Sequence, residues 1–138
     1  MPAEPGGAFF DTNVLLYLAS ADEAKANRAE QLLHGGGTTS VQVLNEIANV
    51  ARRKMGMSWV ETREFLSLIR ELLAIVPLTE EVHEAGIRLA ERHRLGIYDG
   101  MIAAAALTSG CDVLLSEDMH DGLVIEGRLA IRNPFVAL

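Results

Sequence analysis

The strongest indication of the fold comes from the segment AFFDTNVL, residues 8–15 of this 138-residue chain. Its three apolar residues Ala8–Phe10 have the pattern of a short buried strand, which stops at Asp11. The next residues, Thr12–Ala19, place apolar side chains at the spacing of a helix or helical turn. A strand that leads directly into a helix is typical of an α/β unit. We therefore expect Asp11 at the carboxyl end of a strand.

The rest of the chain repeats this alternation of short strands and helices. Further strands are predicted at Thr38–Thr39, Ala74–Leu78, Val113–Leu115 and Arg128–Arg132, and Pro77 confines the second of these to a short or edge strand. Helices are predicted to begin at Asp22, Ser40, Ser58, Thr79 and Asp99. The pattern predicts an α/β fold with a mainly parallel sheet.

The composition is that of one ordinary globular domain. Hydrophobic residues make up 49% of the chain and charged residues 22%, which excludes a disordered chain. We expect a single domain over residues 1–138, in which residues 1–7 form a flexible lead-in. The lone cysteine, Cys111, excludes an internal disulfide and is typical of the reducing cytoplasm. No apolar run reaches the length of about 18 residues that a membrane span needs, and no signal peptide is evident.

Four acidic residues stand apart from ordinary surface charge. Asp11 and Asp118 closely follow predicted strands, Asp99 begins a predicted helix, and Glu46 lies one turn into another helix. Each has an ordinary explanation by itself, since aspartate commonly caps helices and occupies turns. In open α/β sheets, however, functional sites lie beyond the carboxyl ends of the strands. We therefore expect the fold to gather these four acids at one edge.

A cluster of carboxylates has a defined chemistry. Two of them about 4 Å apart repel by roughly 4 kcal/mol at an effective dielectric of 20, so the cluster must raise its pKa values or bind cations. Oxygen ligands select hard ions such as Mg²⁺ or Mn²⁺, which suit phosphate chemistry. The formal net charge of −7 argues against broad binding to nucleic acids, but not against a nucleic-acid substrate whose site holds metal.

These segments together resemble the PIN-domain ribonucleases, and among them the VapC-type toxins of type II toxin–antitoxin pairs. The resemblance extends over nearly the whole chain, from about Phe9 to Phe135. It is carried by Phe10-Asp11-Thr12-Asn13-Val14-Leu15, Asn45-Glu46-Ile47, Tyr98-Asp99 and Leu114-Leu115-Ser116-Glu117-Asp118.

The resemblance implies a three-layer α/β/α sandwich and an RNA endonuclease that depends on Mg²⁺ or Mn²⁺. It implies that the catalytic and metal-binding residues are Asp11, Glu46, Asp99 and Asp118. Thr12 and Asn13 would orient the first carboxylate and its water, and Ser116 would support Asp118. It also implies a homodimer and a small antitoxin protein as partner.

The sequence departs from the family pattern after the fourth strand. Members often show an Asp-x-Asp-aromatic run there, whereas this chain reads Asp118-Met119-His120-Asp121-Gly122. Asp121 is either a supporting residue of the site or part of a turn, since Asp-Gly is a common turn pair. Glu117 is a competing candidate for the metal. We favour Asp118, because it keeps the Ser-x-Asp spacing.

The densest basic patch of the sequence is Arg52-Arg53-Lys54, about two turns past Glu46 on the same helix. These residues are candidates for contacts with RNA phosphates. They are equally explained by the preference of cations for a helix C-terminus.

Three other functions remain open from the sequence. The site would also suit a nuclease directed at DNA, although the short chain leaves little room for the extra elements of a structure-specific enzyme. A domain that binds RNA or a partner with little catalysis is a second alternative. A phosphatase with Asp11 as its nucleophile is a weaker third, because Asn13 stands where such enzymes have a second acid.

Overall fold

A six-stranded sheet and six α-helices make up the part of the chain described by the computed structural model, residues 7–136. The predicted lead-in at residues 1–7 lies outside these residues except for Gly7. In chain order the elements are β1 (Ala8–Phe10), α1 (Thr12–Leu16), a 3-10 turn (Tyr17–Ala19), α2 (Glu23–Leu33), β2 (Thr38–Ser40), α3 (Val41–Arg53), α4 (Trp59–Leu72), β3 (Ala74–Val76), α5 (Glu80–His93), α6 (Ile97–Thr108), β4 (Val113–Leu115), β5 (Val124–Ile125) and β6 (Leu129–Arg132).

The sheet has the strand order β3-β2-β1-β4-β6-β5, and all pairs are parallel except β5 with β6. The predicted three-layer α/β/α sandwich with a mainly parallel sheet is confirmed. β3 is an edge strand, as the nearby Pro77 predicted. No helix within residues 7–136 is long and apolar enough to cross a bilayer.

The strand order creates a switch point between β1 and β4. From β1 the chain proceeds to β2 and β3 on one side, and it then returns to place β4 on the other side of β1. Ligand sites of open α/β sheets lie at the carboxyl ends of strands at such a point. Asp11 directly follows β1 and Ser116 directly follows β4. The fold therefore brings two distant segments together at one edge.

Helix α3 is positioned by its cap and its apolar stripe. The hydroxyl of Ser40 accepts a hydrogen bond from the backbone N–H of Val43, which satisfies one free donor of the first turn. Val43, Ile47 and Ala51 recur every four residues and are fully buried. Glu46 lies on the flank of this buried stripe and is only partly exposed.

Helices α5 and α6 pack with their backbones almost in contact. A Cβ atom added at Gly100 would lie 2.4 Å from the carbonyl oxygen of Gly86, and one at Gly86 would lie 2.6 Å from Met101 Sδ. All seven residues from Gly100 to Ala106 are buried, so α6 is enclosed on every side. The small residues of this segment allow the close packing that places Asp99 at the site.

Two predictions of local structure were wrong. Asp99 does not begin its helix, because Gly96 is the N-cap of α6 and Asp99 is the helix's third residue. The short strand β5 was missed, and it forms an antiparallel hairpin with β6 through Glu126 and Gly127, which both have positive φ. Two residues are too short a run to show a period-two pattern in the sequence.

Candidate metal and nucleic-acid site

Asp11 is buried directly beyond β1, and both of its carboxylate oxygens are held. Oδ1 accepts a hydrogen bond from the backbone N–H of Thr12 at 2.7 Å, and Oδ2 accepts one from Ser116 Oγ at 2.6 Å. The carboxylate is only 3% exposed. These two bonds fix its orientation at the switch point.

Ser116 supports a different acid from the one that the resemblance implied. Its hydroxyl donates to Asp11 and not to Asp118, because β4 pairs in register with β1 and delivers Ser116 next to the end of β1. Asn13, which was expected at Asp11, donates instead from Nδ2 to Asp118 Oδ2. The polar residues beside Asp11 therefore serve as links between the acids.

Glu46 projects from α3 toward the same edge. Its Oε1 accepts a hydrogen bond from Thr12 Oγ1 at 3.3 Å, and its Oε2 accepts one from Gln42 Nε2 at 2.9 Å. Thr12 thus contacts Asp11 through its backbone and Glu46 through its side chain. Gln42 was not predicted, although its position four residues before Glu46 is the spacing at which helix side chains meet.

Asp99 and Asp118 face a common cleft. Asp99 is partly buried in the first turn of α6, and Asp118 is exposed in the loop after β4. Both line an open cleft of about 440 Å³. Asp99 and Asp118 therefore border the solvent side of the site, where a substrate would enter.

The pKa values of Asp11 and Asp99 are both raised. Burial raises the pKa of Asp11 to about 6, and the charges of Asp99 and Glu46 add to the rise, while the hydrogen bonds that Asp11 accepts oppose it. Burial also raises the pKa of Asp99, and the charges of Glu46 and Asp118 contribute further. The acids thus form one electrostatic unit of like charge.

This donor set fits a hard divalent cation. Its donor atoms are carboxylate oxygens, and a cation would relieve the like-charge repulsion that, after burial, raises the pKa values of Asp11 and Asp99. Within residues 7–136, no three acidic side chains converge closely enough to form a preassembled metal cage. Thr12 and Gln42 donate hydrogen bonds to the Glu46 carboxylate, and Asn13 donates one to Asp118.

Glu117 is engaged away from the four acids. Its Oε2 accepts a hydrogen bond from Lys25 Nζ at 2.8 Å, and its Oε1 accepts one from the Tyr17 hydroxyl. Burial raises the pKa of Glu117, but these two bonds outweigh burial and leave the pKa below its usual value. Lys25 also lies 4.6 Å from the centre of the Tyr17 ring. This cluster anchors the loop that carries Asp118, and nothing in the sequence pointed to Lys25.

Asp121 lies in the same loop and connects it to the last strand. Its Oδ1 accepts a hydrogen bond from the backbone N–H of Asn133 at 2.9 Å, which joins the loop after β4 to the end of β6. Asp121 and Gly122 also lie in a turn, across which the backbone N–H of Leu123 donates to the carbonyl oxygen of His120 at 3.2 Å.

Of the three residues in the basic patch, Arg52 contacts its own protein through its side chain. Arg52 donates from Nη1 to the carbonyl oxygen of Met57 at 2.7 Å, and its guanidinium lies 4.3 Å from the centre of the Trp59 ring. Arg53 and Lys54 are exposed. Arg53 follows Glu46 by seven residues, so it lies on the same helix face about 10 Å away. Of the three residues, Arg53 is placed best to face a molecule bound at the site.

The fold and the acidic switch point together define an α/β protein of the kind that carries its site at the carboxyl ends of its strands. The chain belongs to the PIN domain family, whose pattern it matches over residues 8–120. No curated protein matches it by sequence.

Several solved structures share the fold at low sequence identity. A toxin–antitoxin complex from Klebsiella pneumoniae has a chain 21% identical, with a TM-score of 0.71 over 93% of this chain and 98% of that one. VapC20 of Mycobacterium tuberculosis, described as a sarcin-ricin loop cleaving toxin, is 19% identical, with a TM-score of 0.67 over 80% and 89%. VapBC2 of Rickettsia felis, bound to a promoter DNA fragment, is 19% identical, with a TM-score of 0.65 over 91% and 97%.

Proposed function

We propose that this PIN-domain protein is an endoribonuclease that uses Mg²⁺ or Mn²⁺ held by Asp11, Glu46, Asp99 and Asp118. The observation that carries the proposal is the electrostatic coupling of these four acids at the β1–β4 switch point. Acids in a cleft whose pKa values are raised by burial and by neighbouring like charges, as at Asp11 and Asp99, mark a candidate functional site. Family membership adds support, and the likeness to VapC20 favours RNA as the substrate.

A bound divalent ion supplies an activated water and neutralises charge on the phosphate. The chain's own residues prepare the site for this chemistry. Thr12 and Ser116 hold the Asp11 carboxylate in one orientation, and Gln42 and Thr12 hold Glu46. Asn13 holds Asp118 at the rim of the cleft. These hydrogen bonds orient the carboxylates of Asp11, Glu46 and Asp118.

The same family likeness supports a role as the toxin of a toxin–antitoxin pair. Several proteins of similar structure are toxin–antitoxin complexes. One is VapBC from Salmonella typhimurium, whose chain superposes on this one with a TM-score of 0.65. We therefore propose a small antitoxin protein as partner, a homodimer as the working form and the cytoplasm as its location. Growth of a host that expresses the chain should slow, and co-expression of the cognate antitoxin should restore it.

The activity is tested with purified protein and end-labelled oligonucleotides. We expect cleavage of RNA, but not of single-stranded DNA of the same sequence, with Mg²⁺ or Mn²⁺ and none with EDTA. Asp99→Asn should lower the rate at least about 1000-fold, because it removes one charged ligand without changing side-chain shape. Products with 5′-phosphates would show attack by water.

Asp112→Asn is the matched control for this assay. Asp112 is exposed and lies before β4, at the end of that strand opposite to Asp118. It should leave the rate unchanged. Cleavage that persists in EDTA and in Asp99→Asn would contradict the proposal. Preferential cutting of DNA would support the DNA-directed alternative, and metal-independent RNA binding without cleavage would support the binding domain.

A further inference from the structure

The cleft beside Asp99 and Asp118 is also lined by one arginine and two histidines. The end of α5 contributes His93 and Arg94 to its lining, and the loop after β4 contributes His120. An RNA strand that reaches the acidic residues must pass a region of negative potential. Cationic and donor groups in the same cleft compensate for that repulsion.

Arg94 occupies a backbone position at which glycine is the usual residue. It is the C-cap of α5 and has left-handed backbone angles, φ 56° and ψ 43°. Glycine dominates this position in helices because a Cβ atom is strained there. The arginine at this position lines the cleft, although its left-handed backbone is strained.

Within residues 7–136, the side chains of Arg94 and His93 have nitrogen atoms without a hydrogen-bond partner. Among residues 7–136, the guanidinium of Arg94 takes part in no ion pair or side-chain hydrogen bond, whereas Arg92 is paired with Glu126 at 2.9 Å. In the same part of the chain, Nε2 of His93 is buried and has no hydrogen-bond partner.

We propose that Arg94, together with His93 and His120, binds a backbone phosphate of RNA next to the phosphate that is cut. The inference deepens the proposed nuclease function and depends on it. Arginine suits this role because its planar donors match the phosphate oxygens in pairs. The phosphate contact positions the strand, so that the neighbouring phosphodiester lies against Asp99 and Asp118.

Arg94→Gly tests the proposal, because glycine adopts the left-handed conformation without strain. The thermal midpoint should therefore stay the same or rise, which separates this variant from one that misfolds. We expect the KM for a short RNA to rise about 10-fold, with kcat within about twofold, and the slope of log KM against log salt to fall by about one charge. Arg94→Lys should recover part of the loss.

Arg88→Ala is the control, since Arg88 is an exposed cation on the same helix outside this cleft. An unchanged KM for Arg94→Gly would overturn the phosphate site while leaving the nuclease proposal intact. An equal rise in KM for Arg88→Ala would also overturn it, since the effect would then be one of overall charge. Absence of RNA cleavage by the unmodified protein would overturn both proposals.

Discussion

An Asp11→Asn variant is expected to fold more stably than the unmodified protein at pH 8 without divalent metal, and yet to cut RNA at least about 1000-fold more slowly. The stability gain follows from the pKa of Asp11, which burial raises from 3.8 to about 6. Folding therefore opposes ionisation of this carboxyl. The asparagine amide has no charge to bury, and it can still accept from Thr12 and donate to Ser116.

The sign of the pH dependence follows from the same shift. The neutral carboxyl contributes its full stability below about pH 4, and this contribution is lost as the pH rises through about 6. The free energy of unfolding of Asp11→Asn relative to the unmodified protein should thus grow from near zero at pH 4 to about 1–3 kcal/mol at pH 8. Urea denaturation at pH 4, 6 and 8 measures this difference. A difference independent of pH would contradict it.

Gly100→Ala is expected to destabilise the protein by about 3 kcal/mol or more, although alanine is the better helix former. The added Cβ would lie 2.4 Å from the carbonyl oxygen of Gly86, so α5 and α6 would have to separate. For a chain of this size the loss lowers the thermal midpoint by about 10 °C. Differential scanning calorimetry measures the shift.

Gly35→Ala is the matched control for this substitution. Gly35 lies in the turn after α2, where an added Cβ would have no neighbour closer than 4.0 Å. Its thermal midpoint should change by no more than about 2 °C. Equal midpoints for the two variants would show that α5 and α6 can move apart freely, against the packing described above.

The sequence was sufficient for the fold class because its signals are local. The buried strand before Asp11 and the helix starts at Ser40 and Ser58 each depend on a few neighbouring residues, and all three appear as predicted. The parallel sheet then follows from the alternation of strands and helices. β5 was missed because two residues carry too little pattern.

The site was harder to predict, since its contacts join distant residues. Ser116 reaches Asp11 across 105 positions, and Lys25 reaches Glu117 across 92. Only the register of β1 with β4 decides which acid Ser116 supports. The position of Arg94 in the cleft likewise depends on how α5 ends, which the sequence does not reveal without a glycine at the cap.

The central claim, that four acids form one metal site, is tested most directly by calorimetric titration of Mn²⁺ at pH 7.5. The unmodified protein and Asp112→Asn should bind Mn²⁺ with the same affinity. Asp11→Asn, Glu46→Gln, Asp99→Asn and Asp118→Asn should each bind at least about 10-fold more weakly, because each removes one charged ligand. Unaltered Mn²⁺ affinity in these four variants would contradict the account.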